Sequence, residues 1–369
     1  MSPRIPQHLS NLMPYVPGQS EESAARGDGT EAPLKLASNE NPLGPSPRAL
    51  EAVRLELERS HRYPEGTGRQ LREELARRLG VAANQIILGN GSTELVELLV
   101  RTFQGSGGSS VVPAGTFIMY RIAVLAARGR LVEVPLREQR IDPAAVAAAC
   151  DPRTPLVFLA NPNNPTGNYF TTPELQDYFR HLPGGVITVL DEAYREYLQR
   201  PDYPSGLDAL REGRTVVVLR TFSKAHGLAG LRIGYGIGPA DLIATMEKVR
   251  SPFNTSRVAQ AAALAALDDS AHLAATVETN RIGLEHVAAE LSKRGVPFTP
   301  SVANFHLVHF QRDAEDVHRD LLAEGVIARP MGAYGFPRSL RITVGTPPQN
   351  DRLLLSLDRV LAKGPPASS

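Results

Sequence analysis

Only five of the chain's 40 basic residues are lysines (Lys35, Lys224, Lys248, Lys293 and Lys363), so a lysine inside a motif stands out. Lys224 is the one that does. An apolar run from Val216 leads into Ser223-Lys224, then a glycine-rich turn and Arg232. In open α/β sheets ligands bind beyond the carboxyl ends of strands. A lysine amine held there can condense with an aldehyde cofactor as a Schiff base, whereas an ordinary loop lysine is simply solvated. Upstream, Val186–Leu190 delivers Asp191 to a second strand end, in Asp191-Glu-Ala-Tyr194. A carboxylate there can pair with a protonated pyridine nitrogen and keep that ring electron-withdrawing. The same pattern closes the magnesium-binding strand of P-loop NTPases, but that fold needs a Gly-Lys dipeptide in its phosphate loop. None occurs here.

Gly89-Asn-Gly-Ser92-Thr93-Glu94 lies between the apolar run Ile86–Leu88 and a helical pattern over Leu95–Phe103. Glycines opening onto a helix N-terminus offer free N–H groups to an anion, and the two hydroxyls add donors. The spacing fits a single phosphate better than the Gly-x-Gly-x-x-Gly of a dinucleotide site; a plain capped turn is the alternative. Asn161-Pro-Asn-Asn164-Pro-Thr-Gly167 is turn chemistry for the most part. Asn164 could nonetheless present an amide at a strand end to a ring oxygen. Arg329 and Arg341 near the C-terminus could each grip a carboxylate or phosphate bidentately, or lie at the surface. The nine histidines show no metal-ligand spacing, and the single cysteine, Cys150, excludes an internal disulfide and a multi-cysteine metal site.

These residues need a scaffold of strands and helices. Residues 1–45 read as an N-terminal arm. Residues 46–255 alternate helices with short, wholly apolar runs, the pattern of a mostly parallel sheet covered on both faces. The runs are Ile86–Leu88, Ser110–Val112, Leu131–Val134, Leu156–Leu159, Val186–Leu190, Thr215–Leu219 and Leu231–Ile233. Residues 256–364 mix helices with strands at Phe305–Phe310, Val326–Arg329 and Leu340–Val344, as in a smaller α+β domain, and 365–369 form a loose tail. The composition is 42% hydrophobic and 21% charged, ordinary for a globular protein. Forty Lys+Arg against thirty-nine Asp+Glu leaves +1, no bulk drive toward nucleic acid or an anionic membrane. No signal-like N-terminus or membrane-length apolar run is visible, so a cytoplasmic protein is expected.

The chain resembles the fold-type I pyridoxal-phosphate-dependent aminotransferases, most closely the histidinol-phosphate aminotransferase family. The resemblance is carried by Leu36–Pro47, Arg62-Tyr-Pro64, Gly89–Glu94, Asn161–Gly167, Asp191–Tyr194, Ser223–Arg232 and Arg341–Thr346. It implies that Lys224 holds pyridoxal 5'-phosphate and acts as acid and base, with Asp191 on the pyridine nitrogen. Asn164 and Tyr194 would bond the ring's phenolate oxygen, and Phe117 would stack on its face. Ser92, Thr93, Ser223 and Arg232 would hold the phosphate, with Tyr63 arriving from a second subunit, which implies a homodimer with shared sites. Phe117 replaces the tyrosine many relatives carry, and Pro113-Ala-Gly-Thr departs from their usual turn.

The resemblance further implies ping-pong amino transfer between L-histidinol phosphate and 2-oxoglutarate or glutamate, in histidine biosynthesis. Arg341 and Arg329 would bind the substrate anions, and Tyr15 on the arm would close over the substrate side chain. An aromatic amino acid aminotransferase shares nearly all these motifs. A pyridoxal-phosphate decarboxylase of a phosphorylated amino acid would use the same lysine and aspartate. A cofactor-binding regulator would need a nucleic-acid-binding module that the sequence does not display.

Overall fold

The computed structural model describes residues 6–10, 12–16, 18–19, 32–105 and 107–363; the expected tail at 365–369 and much of the arm lie outside them. In chain order the strands are β1 (Leu34–Lys35), β2 (Ile86–Gly89), β3 (Ser109–Pro113), β4 (Arg130–Val134), β5 (Leu156–Ala160), β6 (Ile187–Asp191) and β7 (Val216–Thr221). After these come β8 (Gly234–Ile237), β9 (Phe298–Thr299), β10 (Phe305–His309), β11 (Val326–Ile327), β12 (Arg329–Met331) and β13 (Phe336–Thr343).

The larger sheet has seven strands in the order β2-β8-β7-β6-β5-β3-β4. The pairs from β7 to β4 are parallel, and β8 runs antiparallel to both its neighbours. β5, β6 and β7 are buried along their whole length, which is why they read as unbroken apolar runs rather than alternating ones. Helices cover both faces and divide the core into two layers.

One expected strand is displaced. Leu231–Ile233 does not enter the sheet: Ala229–Leu231 forms a single 3-10 turn, Arg232 takes a left-handed φ of 56°, and β8 begins only at Gly234. Glycine is required at 234 because an added Cβ would sit 2.8 Å from the Arg220 carbonyl oxygen and 2.9 Å from the Gly91 carbonyl carbon. The apolar side chains of Leu231 and Ile233 made the turn look like the strand beyond it.

The smaller sheet is antiparallel, β12-β13-β10-β9, and β1 pairs in parallel with β11. Val287 and Leu291 of the helix Ser270–Lys293, Val317 and Leu321 of Ala314–Ala323, and Leu353 and Leu357 of Pro347–Ala362 form its core with Val308, Leu340 and Ile342. The helix Arg257–Leu267, grouped with the small unit on sequence, buries Ala259, Ala262, Ala263 and Ala266 in the core of the large sheet. Its small side chains let it approach the helix Pro47–Leu57, whose own start is capped by Ser46 accepting from the Ala49 amide at 3.1 Å. Among the described residues no helix is long and apolar enough to cross a membrane.

A buried ion pair ties the central strands below the cleft that their carboxyl ends form. Arg220 donates from Nε and Nη2 to Glu192 Oε2 at 2.9 and 2.8 Å, while Glu192 Oε1 accepts from the Gly206 amide at 2.7 Å. The side chains are 10% and 2% exposed. Arg220→Met should therefore lower unfolding stability by about 3–5 kcal/mol, because it leaves a buried carboxylate without its cation. Urea denaturation measures this, and a loss below about 1 kcal/mol would mean that Glu192 finds another partner.

Candidate active site

The central strands of the large sheet open at their carboxyl ends into a cleft that the small sheet closes from the other side. β6 brings Asp191 there, level with Ala160 at the end of β5. Its Oδ2 accepts from the Tyr120 hydroxyl at 2.7 Å and its Oδ1 from the Ala193 amide at 3.1 Å. Burial pushes its pKa up to about 6, against the pull of those two donors. Lys224, just past β7, donates from Nζ to the Ser38 carbonyl at 3.0 Å. Burial, with Arg341 adding to it, brings the ammonium down to about 7, although Glu40 and Asp191 pull the other way. The cleft thus contains a lysine that can be neutral near physiological pH and a carboxylate poised to ionise.

At one end of the cleft the helix Gly91–Phe103 points its N-terminus inward, with Ser92 and Thr93 on its first turn. Arg232 lies alongside, donating to the Ser223 hydroxyl at 3.4 Å, the Ala229 carbonyl at 3.0 Å and the Asn90 carbonyl at 3.2 Å. Gly91 has a φ of 71°, and a Cβ there would stand 2.6 Å from Arg232 Nη2. Backbone amides, hydroxyls and a guanidinium brought this close could hold one phosphate. Phe117 lines the same cleft, its ring edge-on to Tyr120 at 5.5 Å.

Arg341, on β13, is only 7% exposed. It donates from Nη1 to Asn164 Oδ1 at 2.6 Å and from Nη2 to the Ala37 carbonyl at 2.7 Å, while its buried Nε has no protein partner. With its carbonyl oxygen occupied, Asn164 has its NH₂ to offer elsewhere. Arg329 donates to the Val16 carbonyl and lies 5.5 Å from the Tyr15 ring centre, so the described part of the arm reaches the mouth of the cleft. Tyr194 is buried, with its hydroxyl accepting from Asn39 Nδ2 at 2.7 Å.

Tyr63 is the one expected residue that the fold leaves away from this cleft. It is 78% exposed and stacks on Phe253 at 4.7 Å. Sequence patterns do not single out three residues that carry the site. Asn39, at a φ of 55°, orients Tyr194 and is itself held by Thr343 and Asn304 of the small unit. Asn39 lies inside the Leu36–Pro47 segment, but nothing in its type marks the role. Tyr120 and Tyr334 line the cleft from a helix and a 3-10 turn, where single aromatic residues carry no sequence signal. Among the described residues no group of three or more His, Cys, Asp or Glu side chains is placed to hold a metal ion.

A buried amine, a buried carboxylate, an aromatic face and a one-phosphate cradle fit a phosphorylated pyridine aldehyde. Comparison with known proteins points the same way. Residues 31–357 match the family model described as "Aminotransferase class I and II". Histidinol-phosphate aminotransferase from Anaeromyxobacter sp. (strain Fw109-5) is 46% identical, over 97% of this chain and 99% of that one. The chain belongs to the histidinol-phosphate aminotransferase family. The relative from Moorella thermoacetica is 42% identical over 98% of this chain and 94% of its own. The crystal structure of the Sinorhizobium meliloti family member, in complex with pyridoxal-5'-phosphate, superposes with a TM-score of 0.88. It is 30% identical and covers 98% of this chain and 99% of that one. The fold is that of the fold-type I aminotransferases.

Because burial lowers Lys224 to about 7, its amine should be half neutral there rather than near pH 10. The rate at which the cofactor-free protein captures an aldehyde should rise with pH through about 7 and then level off, followed by stopped-flow absorbance. A rate that climbs only above about pH 9.5 would mean an ordinary solvated lysine.

Proposed function

We propose that this chain is a pyridoxal-phosphate-dependent aminotransferase that takes the amino group from L-histidinol phosphate and gives it to 2-oxoglutarate, working as a homodimer. The observation that carries this reading is one cleft with two separate provisions for anions. The helix N-terminus with Arg232 serves the cofactor phosphate, and Arg341 with Arg329 serves a second anion on the substrate. Tyr63 supports the dimer: an exposed aromatic braced on Phe253 is available to a neighbouring subunit. We also place the end of the large unit at Leu267, since the helix that ends there shares its core.

When bound, pyridoxal phosphate supplies an electron-withdrawing ring into which charge from the substrate's amine-bearing carbon can spread. Lys224 would anchor it through Nζ. Ser92, Thr93, Ser223 and Arg232 would bind its phosphate, and Phe117 would cover one ring face. Asp191, ionised and fully buried, would hold a proton at the ring nitrogen. The NH₂ of Asn164 and the hydroxyl of Tyr194 would face the ring's phenolate oxygen. Once displaced by the substrate amine, Lys224 can take the proton from the substrate carbon through Nζ and return it at the neighbouring position, which requires the neutral amine that burial provides.

Arg341 would bind the phosphate of histidinol phosphate in one half of the cycle and a carboxylate of glutamate or 2-oxoglutarate in the other. Arg329 and Tyr15 would complete that pocket at its mouth. A guanidinium suits this double duty because its fork matches both anions, whereas a hydrophobic pocket would suit neither.

Loading the protein with pyridoxal phosphate and adding one amine at a time tests the reading without a second substrate. L-histidinol phosphate should discharge the cofactor absorbance rapidly and leave pyridoxamine phosphate, and L-phenylalanine should be slow. Faster discharge by phenylalanine would assign the aromatic amino acid reaction instead, and carbon dioxide release from a phosphorylated amino acid would assign decarboxylation. Lys224→Ala should lose the absorbance of lysine-bound cofactor. Arg341→Ala should weaken histidinol phosphate binding roughly 30-fold or more while changing cofactor affinity far less; equal losses of both would make Arg341 a structural residue.

A further inference from the structure

We infer that Tyr120 is a positioning residue for this chemistry: its hydroxyl holds Asp191 oriented toward the cofactor's ring nitrogen, and its own ring seats Phe117 against that ring's face. The inference rests on the pyridoxal phosphate assignment above and deepens it.

Tyr120 comes from the helix Met119–Ala126 and is fully buried. Its ring lies nearly parallel to that of Phe158 on β5, with centres 4.9 Å apart, and edge-on to Phe117 at 5.5 Å. Two aromatic contacts therefore fix where the hydroxyl points, and it points at Asp191 Oδ2, 2.7 Å away. Burial and the neighbouring carboxylate hold the Tyr120 phenol well above its usual pKa. It is a permanent donor, and a donor that never ionises favours the charged form of the carboxylate it serves.

The consequence reaches both the residue expected at the ring nitrogen and the one expected on the ring face. Asp191 has one oxygen on the Ala193 amide and the other on Tyr120, so rotation of the carboxyl group is restrained before any ligand arrives. The same tyrosine braces Phe117, the residue expected on the ring face. Phe117 has no hydroxyl of its own, and that of Tyr120, three residues on, is directed at Asp191. The other titratable groups that bear on Asp191 are Glu192, next to it in the chain, Tyr194, and Lys224 beyond β7; Glu192 opposes its ionisation and Lys224 favours it.

The dependence on pH has a definite sign. A ring nitrogen that carries a proton binds the ionised Asp191. Below the pH at which Asp191 takes up a proton in the cofactor-free protein, binding must expel that proton, so affinity falls as pH falls. With the hydroxyl present, that point lies at about 6. Without it, burial is opposed by the Ala193 amide and Lys224 but by no phenol, and the point moves up.

The test is the dissociation constant of pyridoxamine phosphate, which forms no bond to Lys224, across pH for the whole protein and for Tyr120→Phe, which keeps the ring and loses only the hydroxyl. Near-ultraviolet circular dichroism verifies the fold. The pH at which affinity begins to fall should rise by roughly one unit, equivalent to about tenfold weaker binding below it. The nitrogen-15 shift of ring-labelled cofactor should also move toward the unprotonated value. Phe158→Leu, which loosens one of the two ring contacts but keeps the hydroxyl, should displace the profile by less than Tyr120→Phe does. A Tyr120→Phe profile with its fall at the wild-type pH, or a Phe158→Leu profile displaced as far as that of Tyr120→Phe, overturns the inference and leaves Tyr120 a packing residue. Wild-type protein that takes up no pyridoxal phosphate is a different failure: it removes the cofactor assignment itself, and this inference with it.

Discussion

The site depends on keeping a lysine amine and a carboxylate in one buried cleft without letting them settle into an ordinary ion pair. Burial works on both, lowering the ammonium and raising the carboxyl, so each sits close to the pH where it can change state. Asp191 is directed instead to Tyr120 and the Ala193 amide, and Lys224 to the Ser38 carbonyl. Each therefore has a partner that satisfies it without neutralising it. A direct pair between them would be stable and chemically idle.

That separation is a product of the parallel sheet. β5, β6 and β7 run side by side in one direction, so the segments leaving Ala160, Asp191 and Thr221 must emerge on one edge. The smaller sheet then supplies the groups that the strand ends cannot. Arg341 reaches across to Asn164 and to the Ala37 carbonyl, and Asn39 connects Thr343 and Asn304 to the Tyr194 hydroxyl. These bonds couple Arg341 to the groups expected around the cofactor.

Much of this was legible in the residues. Lys224 and Asp191 could be recognised because apolar strands deliver them to carboxyl ends, and Gly89–Glu94 because glycines before a helix expose amides. Wholly buried strands read as apolar runs, so most of the large sheet could be placed within a residue or two. β8 could not. Its sequence, Gly-Tyr-Gly-Ile, is short of apolar side chains because Gly91 and Ile87 press against it, while the preceding Leu231–Ile233 has them and turns. The helix Arg257–Leu267 likewise gives no sign of which core its alanines enter.

By itself the sequence determined the chemistry on offer: a motif lysine, a strand-end carboxylate, a phosphate-sized glycine turn and the family pattern that links them. Those signals are local, set by a few adjacent residues and by the position of each at a strand or helix end. Only the tertiary structure decided which distant residues complete the site. Tyr120 lies 71 positions from Asp191 and Arg341 lies 177 from Asn164, and Asn39 is held by a residue 304 positions away. No periodicity or spacing encodes such pairs, because they exist only once two independently packed cores have brought their edges together.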